Sequence, residues 1–137
     1  TRKSAVEYLK GFSESKNLIG SEDYDLWLRL AKEKHRFKKI DGTLGYYWSG
    51  GGNLSSAKLT NRCNLSVRRL YKEDFNRLLG SSMPGWMLYS SARALISLGR
   101  FPLARKIACM ALLSKLPLST KVKAVIVWFL ASIKYKI

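Results

Sequence analysis

The sequence predicts an α/β segment followed by an all-helical tail, with helix predominating overall. Three observations lead there. Two short runs rich in apolar and aromatic residues, Arg36 to Ile40 and Leu44 to Trp48, flank Asp41-Gly42, a pair that favours a tight reversal between strands. On both sides of these runs the apolar residues recur at helical spacing. The breakers of the second half, Gly80 to Gly85, Gly99 and Pro117, separate stretches that all read as helix.

Taken in order, Ala5 to Lys10 reads as a short helix closed by Gly11, and Phe12 to Gly20 as a polar loop. Ser21 is placed to N-cap a helix running to about Lys34, with Glu22, Asp23 and Asp25 in its first turn. Tyr24 stands where a capping box would carry Glu or Gln, so that box is absent. Tyr24, Trp27, Leu28 and Ala31 share one helical spacing and Leu26 and Leu30 another. That breadth predicts a mostly buried helix with Trp27 and Leu30 in its core.

The two strands come next, and Ser49 to Ser56 then has the composition of a mobile loop. A long amphipathic helix is expected from about Lys58 to Leu79, with Leu59, Leu70, Phe75, Leu78 and Leu79 among its apolar positions. Gly80 to Gly85 is the clearest linker. Trp86 to Leu98 reads as a helix ending at Gly99, and a further helix starts near Pro102 and stops before Pro117. Ser119 or Thr120 can cap a last helix reaching Tyr135. The predicted organisation is residues 1–57, a long helix and linker over 58–83, and a basic helical tail over 84–137.

At 137 residues the chain has room for one modest domain or part of a larger one. It opens at Thr1 and reads as a fragment or processed piece, and Thr1 to Lys10 lacks the apolar core of a signal peptide. Cys63 and Cys109 lie far apart, and His35 is the single histidine, which argues against a zinc site and for two reduced, partly buried thiols in a cytosolic protein. The formal charge is +16, unevenly spread. All nine acids precede position 75, facing fifteen cations there, whereas Phe75 to Ile137 carries ten Lys or Arg and no acid. Such a field implies a polyanionic neighbour: lipid headgroups, nucleic acid or a phosphorylated substrate.

The segment Gly20-Ser21-Glu22-Asp23-Tyr24-Asp25-Leu26-Trp27-Leu28-Arg29-Leu30-Ala31 carries the chemistry. It resembles the ED-Y-D-L-W-L-R-L-A signature of family 2 glycosyltransferases, which have the GT-A fold. Arg2 to Val6 resembles the family's stretch after its central strand. Lys10-Gly11-Phe12-Ser13-Glu14 resembles its G-G-F-D-E turn, with Lys10 and Ser13 departing from the pattern. Arg36 to Trp48 resembles the strand pair that follows. The likeness covers roughly residues 1 to 56 and implies the acceptor-side, C-terminal half of a GT-A-like fold, without its donor-binding half.

Inverting glycosyl transfer is a single displacement in which a weakly nucleophilic acceptor hydroxyl must lose its proton as it attacks. A carboxylate within hydrogen-bond reach does this as general base, worth roughly 10²–10⁴ in rate. The resemblance carries that role to Asp23 and gives Glu22 a part in orienting the acceptor. It also implies a divalent metal, Mg or Mn, on the leaving nucleoside diphosphate, bound mainly outside this chain because no D-x-D precedes Glu22. Asp23-Tyr24-Asp25 matches those letters only by coincidence. Asp25 is assigned a structural role, pairing with Arg29 at i, i+4.

The loop after the second strand contributes Trp48, Gly51, Gly52 and Asn53 as candidate substrate contacts, either as a lid over the sugar or as a plain connector. It lacks the Lys-Ser or Lys-Thr sequel of a P-loop. Many family members have a His here that contacts metal or diphosphate; Ser49 and Gly50 occupy that neighbourhood instead.

In the tail, the apolar run Ala124 to Ile133 is too short to span a bilayer, and Lys121, Lys123, Lys134 and Lys136 bracket it. It reads as an interfacial helix, with Trp128 at headgroup depth and those lysines on phosphates, or else as a helix packed on its neighbours. Trp86 to Pro117 resembles a single tetratricopeptide-type hairpin (Tyr89, Ala92, Leu98-Gly99, Phe101, Ala104, Ala108). The expected partners are a nucleotide-sugar donor, a saccharide or lipid-linked acceptor, and an anionic membrane at whose cytoplasmic face the enzyme sits. The alternative is a non-catalytic basic helical module binding anionic membrane or nucleic acid. For nucleic acid the support is net charge alone.

Overall fold

The computed structural model describes residues 2–46 and 56–134, in two compact units, Thr1–Leu54 and Ser55–Ile137. The first contains α1 (Lys3–Tyr8), a 3-10 turn (Lys16–Leu18) and α2 (Glu22–Lys32).

Both helices of the first unit end in a Schellman motif. At the end of α1 the Gly11 N–H reaches the Val6 carbonyl and the Lys10 N–H the Glu7 carbonyl, each at 2.9 Å. At the end of α2, His35 N–H bonds Leu30 (3.1 Å) and Lys34 N–H bonds Ala31 (3.0 Å). The residue that turns left-handed is a lysine in both, Lys10 and Lys34 at φ 59°. Where a Cβ is present this conformation costs energy that glycine avoids.

α2 buries a narrower stripe than its sequence predicts. Leu26 and Leu30 are buried, together with Leu18 of the 3-10 turn, whereas Trp27 is 48% exposed. Of the apolar residues of α2, the i, i+4 pair Leu26 and Leu30 forms the buried row.

The α/β expectation is overturned. Among the described residues there is no strand, and the chain is helical in both units. Arg36 to Ile40 and the described part of Leu44 to Trp48 run on without ladder hydrogen bonds, although Gly42 does take the positive φ (99°) of a reversal. The physical reason is the absence of a surface to pair with and pack on. Phe37, Ile40, Leu44 and Tyr46 are all exposed, so neither face of a hairpin would be buried, and an isolated hairpin is marginal in water. Among the described residues there is no GT-A-like half-sheet.

The second unit consists of α3 (Ala57–Leu79), α4 (Gly85–Ser97), α5 (Phe101–Leu113) and α6 (Leu118–Lys134). Ser56 caps α3 by accepting the Leu59 N–H on Oγ at 3.1 Å, and Gly80 at φ 65° ends it. Cys63, Val67, Tyr71 and Phe75, four apart, form its buried row. Beside that row the buried Asn64 side chain donates from Nδ2 to Ser91 Oγ at 2.9 Å and to the Met87 carbonyl at 3.4 Å, pinning α3 to α4.

α4 packs on α3, α5 and α6, and α5 packs on α6. The seam among the last three helices is made of small residues: Ala92, Ala104, Ala108, Ala124 and Ala131 are fully buried, with Val127 beside them. Tyr89, Ile96 and Ile107 close its edges. Alanine at the crossing points lets helix axes approach more closely than larger side chains would allow. Both cysteines are free thiols, Cys63 buried and Cys109 exposed.

The start of α4 lies hard against the α5–α6 connection. A Cβ built on Gly85 would stand 2.9 Å from Leu116 Cγ and closer still to Ser114 Oγ. Gly85→Ala should therefore destabilise this unit by about 1–3 kcal/mol through overpacking, despite the gain in helix propensity. Chemical denaturation followed by far-ultraviolet circular dichroism measures it; an unshifted midpoint would mean that the connection gives way freely.

Candidate functional site

Three carboxylates crowd the first turn of α2, where unsatisfied N–H groups and the helix dipole favour negative charge. Their surroundings differ. Asp25 is buried at 4% exposure and faces Arg29 one turn on, with Oδ2 accepting from Nε at 2.9 Å. Glu22 is half-buried and folds back to accept the Gly20 N–H on Oε2. Asp23 is exposed, and its Oδ1 accepts the adjacent Tyr24 N–H at 2.7 Å.

Ser21 occupies the N-cap position but makes no side-chain cap, contrary to the prediction. Its backbone lies at φ −144°, ψ 14°, and the buried hydroxyl instead donates to the Leu18 carbonyl at 3.1 Å. Ser21 thereby ties α2 to the 3-10 turn, and the charged first turn is left to balance the dipole.

Arg29 organises this end of the unit. Beyond its pair with Asp25, Nη1 donates to the Leu9 carbonyl and Nη2 to the Gly11 carbonyl, each at 2.8 Å. Those carbonyls belong to the Schellman turn of α1, at a helix C-terminus where cations are favoured. A planar fork with donors on three edges can serve one carboxylate and two carbonyls together, which an ammonium cannot do with the same geometry. The sequence pointed to the Asp25–Arg29 pair, but nothing in it revealed the two carbonyls, which lie eighteen and twenty residues away.

Asp23 and Asp25 do not fit a metal pair. The Asp25 carboxylate is already held by a guanidinium, whose charge opposes a second cation there. Among the described residues no group of three or more His, Cys, Asp or Glu is arranged to hold a metal ion.

A separate cleft of about 800 Å³ opens at the far end of α2. Arg2 and Tyr8 line it from α1, and Glu33, His35, Arg36 and Lys38 from the end of α2 onward. Asp23 is not among its lining residues; it lies ten positions before Glu33, about 15 Å along a helix. Sequence reasoning missed this basic cleft. The dense cations from Lys34 to Lys39 were its one visible signal.

The remaining candidates are dispersed. Trp48, Gly51, Gly52 and Asn53 lie outside the described residues, as does Lys136. On α6, Lys121 is half-buried while Lys123 and Lys134 are exposed, and Trp128 is partly so. Lys134 places its Nζ 5.9 Å from the centre of the Phe101 ring at the start of α5. Among the described residues no helix is long and apolar enough to cross a membrane. No family model, curated protein or solved structure matches the chain.

Two outcomes follow from this geometry. Arg29→Met removes three bonds and takes the guanidinium from a buried carboxylate, so the chain should lose about 2–4 kcal/mol, with amide exchange in α1 accelerating first. Denaturant titration and hydrogen exchange measure both, and protection of α1 equal to the parent's would remove Arg29 as the organising group. Lys10→Gly should act in the opposite sense, stabilising by about 0.5–1 kcal/mol as the left-handed turn is relieved of its Cβ. A lowered unfolding midpoint in that variant would contradict the strain.

Proposed function

We propose that this chain is the acceptor-side part of an inverting, nucleotide-sugar-dependent glycosyltransferase, acting on a saccharide or lipid-linked acceptor at the cytoplasmic face of a membrane. What supports the reading is the run from Glu22 to Arg29, whose order and spacing resemble the family 2 signature; Asp23 is exposed and does not line the cleft at the far end of α2. Of the three acids in the Glu22-to-Arg29 signature, Asp25 is buried and held by Arg29, while Glu22 and Asp23 each accept a backbone amide and Asp23 is the exposed one. An outward carboxylate at a helix N-terminus is one that an incoming alcohol can reach.

In this reading the acceptor hydroxyl donates its hydrogen bond to Asp23 and transfers its proton there as its oxygen attacks the anomeric carbon. The bond to the nucleoside diphosphate breaks on the opposite face, the leaving group takes the electron pair, and the configuration inverts. Glu22 shapes the approach of the acceptor. The donor, and the Mg or Mn ion implied for its diphosphate, would be bound mainly by residues outside this chain.

The rival is a non-catalytic basic module, favoured by the acid-free stretch from Phe75 onward. Binding to random DNA at physiological salt in preference to anionic vesicles would support its nucleic-acid form.

Asp23→Asn in the complete protein should lower glycosyl transfer by at least about 10²-fold while preserving the circular dichroism spectrum. Glu22→Gln should cost less. Undiminished turnover of the Asp23 variant would remove it as base, and with it the enzymatic reading.

A further inference from the structure

α6 has two apolar stripes, and only one of them is used. Ala124, Val127 and Ala131 are buried in the seam with α4 and α5. Directly opposite on the helix run Leu118, Val122, Ile126, Phe129 and Ile133, spaced four, four, three and four residues apart. These five are between 44% and 79% exposed. At 100° per residue they all fall within a quarter-turn centred about 180° from the buried row. The small residues face inward and the large ones outward, the reverse of a helix that ends at a water-facing surface.

A covered occupant is therefore implied, and charge selects it. Lys121, Lys123 and Lys134 flank the outer stripe, and no carboxylate occurs anywhere from Phe75 to Ile137. A second copy of the chain would bring the same cations against these, with no acid from this region on either side to offset them. Nucleic acid offers phosphates for the lysines but leaves a row of Val, Ile and Phe against a polar backbone. An anionic bilayer satisfies both features. Apolar side chains enter the boundary between headgroups and acyl chains, and lysines reach lipid phosphates along their aliphatic stems.

We propose that the outer stripe of α6 docks the protein onto an anionic lipid surface, with the helix lying in the membrane plane. Over its described residues α6 is not long and apolar enough to cross a membrane, and Lys121 and Lys123 fall within it. The proposal names the device behind the peripheral location suggested above, and it stands or falls separately from the role of Asp23.

The test is co-sedimentation of the full chain with vesicles of phosphatidylcholine, alone or mixed with phosphatidylglycerol. Binding is expected to the mixed vesicles and to be weak on phosphatidylcholine alone. Ile126→Glu/Phe129→Glu should reduce partitioning by at least about tenfold with the helical spectrum unchanged, because both positions face away from the core. Val122→Glu, one turn earlier, is the second variant should the first misfold. Lys121→Gln/Lys123→Gln should weaken binding to the mixed vesicles specifically. Wild-type partitioning by folded stripe variants would overturn the proposal. So would a wild-type dimer, split by Ile126→Glu/Phe129→Glu, that ignores vesicles. Asp23→Asn should bind vesicles like the parent: vesicle binding without Asp23-dependent transfer sinks the enzymatic reading alone, and transfer without vesicle binding sinks the docking alone.

Discussion

In the N-terminal unit the guanidinium of Arg29 holds together parts that hydrophobic burial could not. Among its described residues the buried apolar side chains are Leu18, Leu26 and Leu30, too few to define how two short helices and a turn should meet. Arg29 adds direction: one edge on the Asp25 carboxylate, the others on the Leu9 and Gly11 carbonyls that α1 leaves unsatisfied. A backbone turn, a helix terminus and a buried charge are satisfied by one side chain. The cost is that each partner depends on the others, since losing Arg29 would take the guanidinium from the buried Asp25 carboxylate.

That constraint also sorts the acids of α2 into roles. Every carboxylate in a first helical turn is favoured by the dipole, so composition alone does not distinguish a structural acid from a reactive one. Burial and partners do. Asp25 is locked into the fold, Glu22 folds back on Gly20, and Asp23 alone of the three is exposed. The proposed proton acceptor is thus the acid whose removal the fold would feel least. For that reason its loss can be read as chemistry and not as unfolding.

The C-terminal unit obeys a different rule. Its helices meet mainly through alanines, so that along α6 the seam takes Ala124, Val127 and Ala131, with Leu95 of α4 among them. The other Val, Ile, Leu and Phe residues of α6 are exposed. A helix with a small-residue interior face and a large apolar exterior face cannot be understood from total hydrophobicity. The run Ala124 to Ile133 looks uniformly apolar in sequence, and only packing divides it into buried and outward halves.

How much was legible follows the range of each interaction. Helix periodicity, the breakers at Gly80, Gly99 and Pro117, the Asp25–Arg29 pair and the one-sided charge are local properties, settled within a few residues, and the sequence by itself determined them. The fate of Arg36 to Tyr46 was not local. Strand propensity and a good turn were present, but a ladder needs a neighbouring backbone and a surface to cover, and neither is offered within the described residues. Tertiary structure likewise decided that Trp27 is exposed and that Arg29 clasps the end of α1. Each of these depends on which groups distant in the chain come within a few ångströms, and short-range pattern carries no record of that distance.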